Sequence, residues 1–94
     1  MDMSNSVSVE QFCSYYKIEH AFIQSLDEYG LVALTKTDEG HFIEYSELGN
    51  VERYIHLHYD LDINMEGLDA INHLLTRVDG LEKELRRLRG ILGQ

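Results

Sequence analysis

Proline and tryptophan are absent from these 94 residues, and cysteine occurs once, at Cys13. A single thiol excludes an intramolecular disulfide and any zinc site built on cysteine pairs. No apolar run exceeds four or five residues, far short of the ~20 that a membrane-spanning helix needs. The opening Met1-Asp2-Met3-Ser4 is acidic and polar, unlike a secretory leader, so a cytoplasmic protein is expected. No glycine-rich phosphate loop is present, because the glycines stand singly. Basic residues are scarce, eight against seventeen acids, for a net charge of −9. What remains is ordinary for a globular chain: 44% apolar and 27% charged residues, in a length that suits one small domain.

The charge is unevenly placed. Residues 1–76 carry Lys17, Lys36 and Arg53 against fourteen acids, a balance of −11, whereas residues 77–94 carry a balance of +2. Duplex-binding surfaces neutralise phosphates with clustered lysine and arginine. The first three-quarters of this chain repels a phosphate backbone and favours a basic partner.

Ser8 with Gln11 reads as a capping box that opens a helix from Val9 to about Tyr16. Val9, Phe12, Cys13 and Tyr16 fall on one apolar face. Ser4 to Ser8 reads as a fraying polar lead. After a turn at Lys17-Ile18-Glu19, a second helix is expected from about Glu19 to Tyr29, with Phe22, Ile23 and Leu26 inward and Gly30 in the left-handed position beyond its end. This is helix-turn-helix spacing. Leu31 to Thr35, the turn Thr37-Asp38-Glu39-Gly40 and His41 to Tyr45 read as a β-hairpin. Ser46 is the expected cap of a third helix, Glu47 to about Tyr59, with two apolar faces. A connector, Asp60-Leu61-Asp62-Ile63, leads to Asn64, which caps a long helix from Met65 to about Leu92.

That last helix carries a heptad seam: Ile71, Leu74, Val78, Leu81, Leu85, Leu88 and Leu92, spaced alternately three and four apart. Gly80 and Gly90 fall outside the seam. So small a domain cannot cover the distal half of such a helix, so a homodimer is expected. Arg77 and Glu84 at g, with Glu82 and Arg89 at e, match best in a parallel pair. An antiparallel pair is also attractive through Arg77 and Glu84. Exposed ion pairs are worth only about 0.3–0.5 kcal/mol each and leave the orientation open.

Other chemistry is thinly represented. His56 and Asp60 are four apart and could share a metal, but two ligands are too few for a stable site. His56 and His58 are two apart and point to different faces, and His20, His41 and His73 lack partners at ligand spacing, so no metal and no cofactor is expected. Cys13 sits on an apolar face with nothing nearby in sequence to lower its pKa. With no pocket motif, a non-enzymatic chain is expected. Six tyrosines beside many acids suit a protein-binding face instead.

The order helix, turn, helix, Gly30-Leu31, hairpin, helix, long helix resembles the MerR-like winged-helix architecture over about residues 7–92. The expected fold is therefore mainly α: a winged helix-turn-helix-like domain over 1–64 with a small hairpin, and a C-terminal coiled-coil helix over 65–94. Within it, Leu61, Asp62, Ile63, Gly67 and Leu68 resemble the connector and helix start of the chaperone-modulator (CbpM-like) family, small acidic relatives of MerR proteins. Val9 to Cys13 also resembles that family's first helix. The resemblance implies a partner, the J-domain of a DnaJ/CbpA-like co-chaperone, whose basic helix otherwise engages Hsp70. Charge and position suggest Glu52, Tyr59, Asp60, Asp62 and Asp69 as its contact residues.

A MerR-like DNA-binding regulator is the main alternative. MerR regulators usually show Arg-x-Tyr-Glu before the Gly-Leu that ends the second helix. Gln24, Leu26 and Asp27 stand there instead. Their wing carries Gly-Tyr-Arg-x-Tyr, where this chain has Gly40-His41-Phe42-Ile43-Glu44-Tyr45. The groups that would hold DNA are missing, so nucleic acid is not the expected partner. A homodimeric adaptor for another basic protein is the second alternative.

Overall fold

The computed structural model describes residues 5–93. The acidic opening Met1-Asp2-Met3-Ser4 lies outside the described residues. In chain order the elements are β1 (Ser6–Ser8), α1 (Val9–Tyr16), α2 (His20–Glu28), β2 (Thr35–Thr37), β3 (Gly40–Glu44), α3 (Leu48–Ile55) and α4 (Met65–Leu92). A 3-10 turn, Tyr45–Glu47, leads into α3, and a π-helical turn, His56–Asp60, continues it.

The Ser8 hydroxyl accepts from the Gln11 amide and starts α1 as its sequence indicates. The helix stops at Lys17, whose left-handed backbone (φ 57°) turns the chain toward α2. The second helix ends in a Schellman motif. Gly30 takes φ 74°, its amide donates to the Asp27 carbonyl at 3.0 Å, and the Leu31 amide donates to the Leu26 carbonyl at 2.9 Å. This closure corrects one expectation. Leu31 to Thr35 is not the first hairpin strand; Leu31 and Val32 finish the helix and drop into the core, and the strand begins only at Thr35.

The hairpin turns on Asp38-Glu39, with Thr37 opposite Gly40. A third strand completes the sheet in the order β1-β3-β2, all antiparallel. Ser6 to Ser8 therefore does not fray: Val7 pairs with Ile43, and the strand covers an edge that β3 would otherwise leave open. Ser46 is not the cap of the third helix either. It lies within the 3-10 turn, and α3 begins after Glu47 without a side-chain cap.

One core joins these parts. Val9, Phe12 and Cys13 from α1 meet Phe22, Ile23 and Leu26 from α2, Ile43 from β3, and Val51 and Tyr54 from α3. Leu68, on the first turns of α4, is buried in the same cluster, with Ile63 and Met65 packed against it. The Tyr54 hydroxyl, otherwise stranded in the core, donates to Asn72 Oδ1 at 2.9 Å and so ties α3 to α4. Burial pushes the Tyr54 phenol and the Cys13 thiol above their usual pKa values.

Asn64 caps α4 through Gly67, whose amide donates to Asn64 Oδ1 at 2.8 Å. A Cβ on Gly67 would lie 2.6 Å from Ile63 Cγ2 and 3.2 Å from Asn64 Oδ1. Ile63 is β-branched and packed on the core, so it cannot swing aside freely. Gly67→Ala is therefore expected to destabilise the fold by about 1 kcal/mol despite alanine's better helix propensity. Urea denaturation checks this; a more stable variant would mean that Ile63 relaxes.

Beyond the core α4 continues alone. Leu74, Val78, Leu81, Leu85, Leu88 and Leu92 are between 40 and 82% exposed. The Cα radius of gyration is 16.4 Å, against about 12 Å for a compact chain of this length. Among the described residues, no helix is long and apolar enough to cross a membrane.

Candidate protein-interaction site

The helix-turn-helix face is built by α1, α2 and the hairpin tip. A depression of about 240 Å³ lies between them, with Glu10, His20, Gln24, Glu39 and His41 among its lining residues. Among the described residues, no lysine or arginine lines it. Between Ile18 and Glu52 the sequence holds one cation, Lys36, and its Nζ sits 2.9 Å from Asp27 Oδ2. Asp27 also accepts from the Leu34 amide at 3.4 Å. The Lys36 hydrogen bond chiefly holds the Asp27 carboxyl below its usual range, so it stays ionised and pairs with that lysine. Glu47 plays a comparable local part, accepting from the Ala33 amide at 3.0 Å. Some acids at this face thus brace the loop between α2 and β2, while Glu28, Asp38, Glu39 and Glu44 remain exposed.

The second acidic region follows α3. His56 Nδ1 lies 2.6 Å from Asp60 Oδ2 across the π-helical turn. The chain then reverses: Asp62 adopts φ 58°, which aspartate tolerates better than most residues. The Ile63 amide returns to the Leu57 carbonyl at 3.1 Å. His58 Nδ1 holds the Ile63 carbonyl at 2.8 Å, and its ring stacks on Phe22. Tyr59 meets the Phe22 ring edge-on, with centroids 5.3 Å apart. The reversal is therefore pinned to α2, and Tyr59, Asp60 and Asp62 project at its exposed corner.

The five residues suggested as contacts are tied to different neighbours. Glu52 accepts from the Tyr16 hydroxyl of α1, a bond that chiefly raises the Tyr16 phenol's pKa. Asp69 sits on α4, 3.6 Å from His73. On the same helix, Glu66 accepts from the Tyr29 hydroxyl at 2.7 Å, fastening α2 to α4 and lowering the pKa of the Glu66 carboxyl. Of the seam residues, Ile71 is half-buried against the domain and the others face outward.

One feature is not readable from the sequence: a groove of about 540 Å³ between α1 and the start of α3, lined by Phe12, Tyr15, Tyr16, Tyr45, Leu48 and Glu52, among others. The tyrosine enrichment pointed to an interaction face but could not place it, because the pairing of residue 16 with residue 52 is long-range. Among the described residues, no group of three or more His, Cys, Asp or Glu is arranged to hold a metal ion.

A family model described as MerR HTH family regulatory protein matches residues 7–90. No curated protein and no solved structure matches the chain.

Proposed function

We propose, from the premise that this chain belongs to the MerR HTH family of regulatory proteins, that it regulates by binding a protein rather than DNA. The observation that carries this reading is the helix-turn-helix face itself: among the described residues its depression is lined by glutamates and by no lysine or arginine, and Lys36 is held by Asp27. A surface of that sign repels phosphates and attracts a basic protein helix. The connector Leu61-Asp62-Ile63 with Gly67 and Leu68, which resembles the chaperone-modulator pattern, supports a J-domain co-chaperone as that partner. The mechanism is occlusion: acidic and tyrosyl groups cover the basic helix that Hsp70 would otherwise contact. Glu52, Tyr59, Asp60, Asp62 and Asp69 are the proposed contacts. The α4 seam, Ile71 to Leu92 and exposed from Leu74 onward, joins two copies in a homodimer.

Charge reversal at the exposed corner tests the assignment. Asp60→Lys with Asp62→Lys is expected to weaken J-domain binding about 10-fold or more and to flatten its salt dependence. Titration calorimetry at two ionic strengths reads both effects. Unchanged affinity would remove this corner from the interface. Family membership favours a second reading, a DNA-binding regulator. It requires duplex binding at physiological salt, which the missing arginines argue against.

A further inference from the structure

The groove between α1 and α3 adjoins two further depressions. The first shares Gln11 and Tyr15 with it, and the second shares Tyr45. Together they form one surface with an apolar floor, to which Val7, Phe12 and Leu48 contribute. Among the described residues, four glutamates line it, Glu10, Glu39, Glu44 and Glu52, and no lysine or arginine does. Tyr15 is 80% exposed and Tyr45 54% exposed, flanking the groove where neither is needed by the core. Glu52 continues toward the connector along α3, because His56 is one turn further on and Asp60 is bonded to His56.

We propose that this groove is the apolar anchor site of the partner interface, and that its occupant is an amphipathic helix with an apolar residue flanked by lysine or arginine. Two adjacent helices leave a cleft that takes side chains from a third helix. Aromatic residues beside such a cleft supply the contact area that dominates binding. The glutamates select basic flanks and reject nucleic acid. Charge at the connector steers the partner, and the groove holds it. The inference rests on the protein-binding reading above and locates its principal contacts on a different part of the surface.

The test titrates the full-length chain with an isolated J-domain and compares three proteins: the unaltered chain, Tyr15→Ala with Tyr45→Ala, and Asp60→Lys with Asp62→Lys. Thermal melts and sedimentation are run on each. Both tyrosines are exposed, so the double alanine variant is expected to melt and sediment like the unaltered chain. It should bind the J-domain at least 10-fold more weakly, with the loss in dissociation rate. The lysine variant should lose mainly association rate. If the tyrosine variant binds normally while the unaltered chain binds well, the groove proposal is overturned and the protein-binding reading survives. If the unaltered chain ignores the J-domain, both fall. A change in sedimentation with the tyrosine variant would make the occupant a second copy of this chain, which also overturns the proposal.

Discussion

Leu81→Asp combined with Leu85→Asp is expected to convert the proposed dimer into a monomer while the domain stays folded. The helix α4 outruns its support. Leu68 is buried and Ile71 half-buried, but from Leu74 onward the seam faces solvent. Most helical stability in proteins comes from packing an apolar face rather than from propensity, and Gly80 and Gly90 each cost this helix about 1 kcal/mol relative to alanine. Ion pairs along the helix, Lys83 with Asp79 at 3.1 Å and Arg87 with Glu84, add only tenths of a kcal/mol each. Burying each seam leucine contributes about 1.5–3 kcal/mol as an upper range. Two aspartates per chain, repeated in both copies, should therefore weaken association by ~100-fold or more. Sedimentation equilibrium at tens of micromolar reads the change. Circular dichroism should show helix loss confined to the distal part of α4. A monomeric unaltered chain with full α4 helicity would contradict the account.

Leu68→Ala is expected to cost the fold about 3 kcal/mol, within the 2–5 kcal/mol seen for leucine truncations in cores. Leu68 has no exposed surface, and it carries the first turns of α4 into the cluster formed by α1, α2, β3 and α3. A domain this small has a total stability of only about 5–15 kcal/mol. The expected fall in Tm is roughly 12–24 °C, at about 4–8 °C per kcal/mol. Because Tyr54 and Asn72 bond across the same junction, the loss should loosen α4 from the domain as well as lower the melting point. Hydrogen exchange at residues 65–72 separates the two effects. A loss below about 1 kcal/mol would mean that Ile63 and Met65 refill the space, and that α4 is held mainly by its cap and its Tyr29–Glu66 bond.

The parts of this fold that were legible in the sequence are those fixed by short-range chemistry. Ser8 and Asn64 cap the helices they precede, and Gly30 takes the left-handed position after α2. Each acts within a few residues, so spacing alone reveals it. Sequence and structure part where a short segment has two solutions. Leu31 and Val32 are as suited to a buried helix ending as to a strand, and only the amides donated to Leu26 decide. Ser6-Val7-Ser8 is too short to declare itself; it becomes a strand because β3 has an open edge beside it. Ser46 looks like a cap, but the chain enters α3 through a 3-10 turn that needs none. The site divides the same way. The acidic bias and the vacant arginine positions could be counted, whereas the groove depends on Tyr16 meeting Glu52 across thirty-six positions.

The central claim is that the helix-turn-helix face of this MerR-family chain is wrong in sign for DNA and right for a basic helix. The most direct measurement is fluorescence anisotropy at physiological salt, with a labelled DNA duplex and a labelled J-domain titrated in parallel. The expected result is saturable J-domain binding that weakens with added salt, and no rise in anisotropy for the duplex. Tight duplex binding with no response from the J-domain would contradict it.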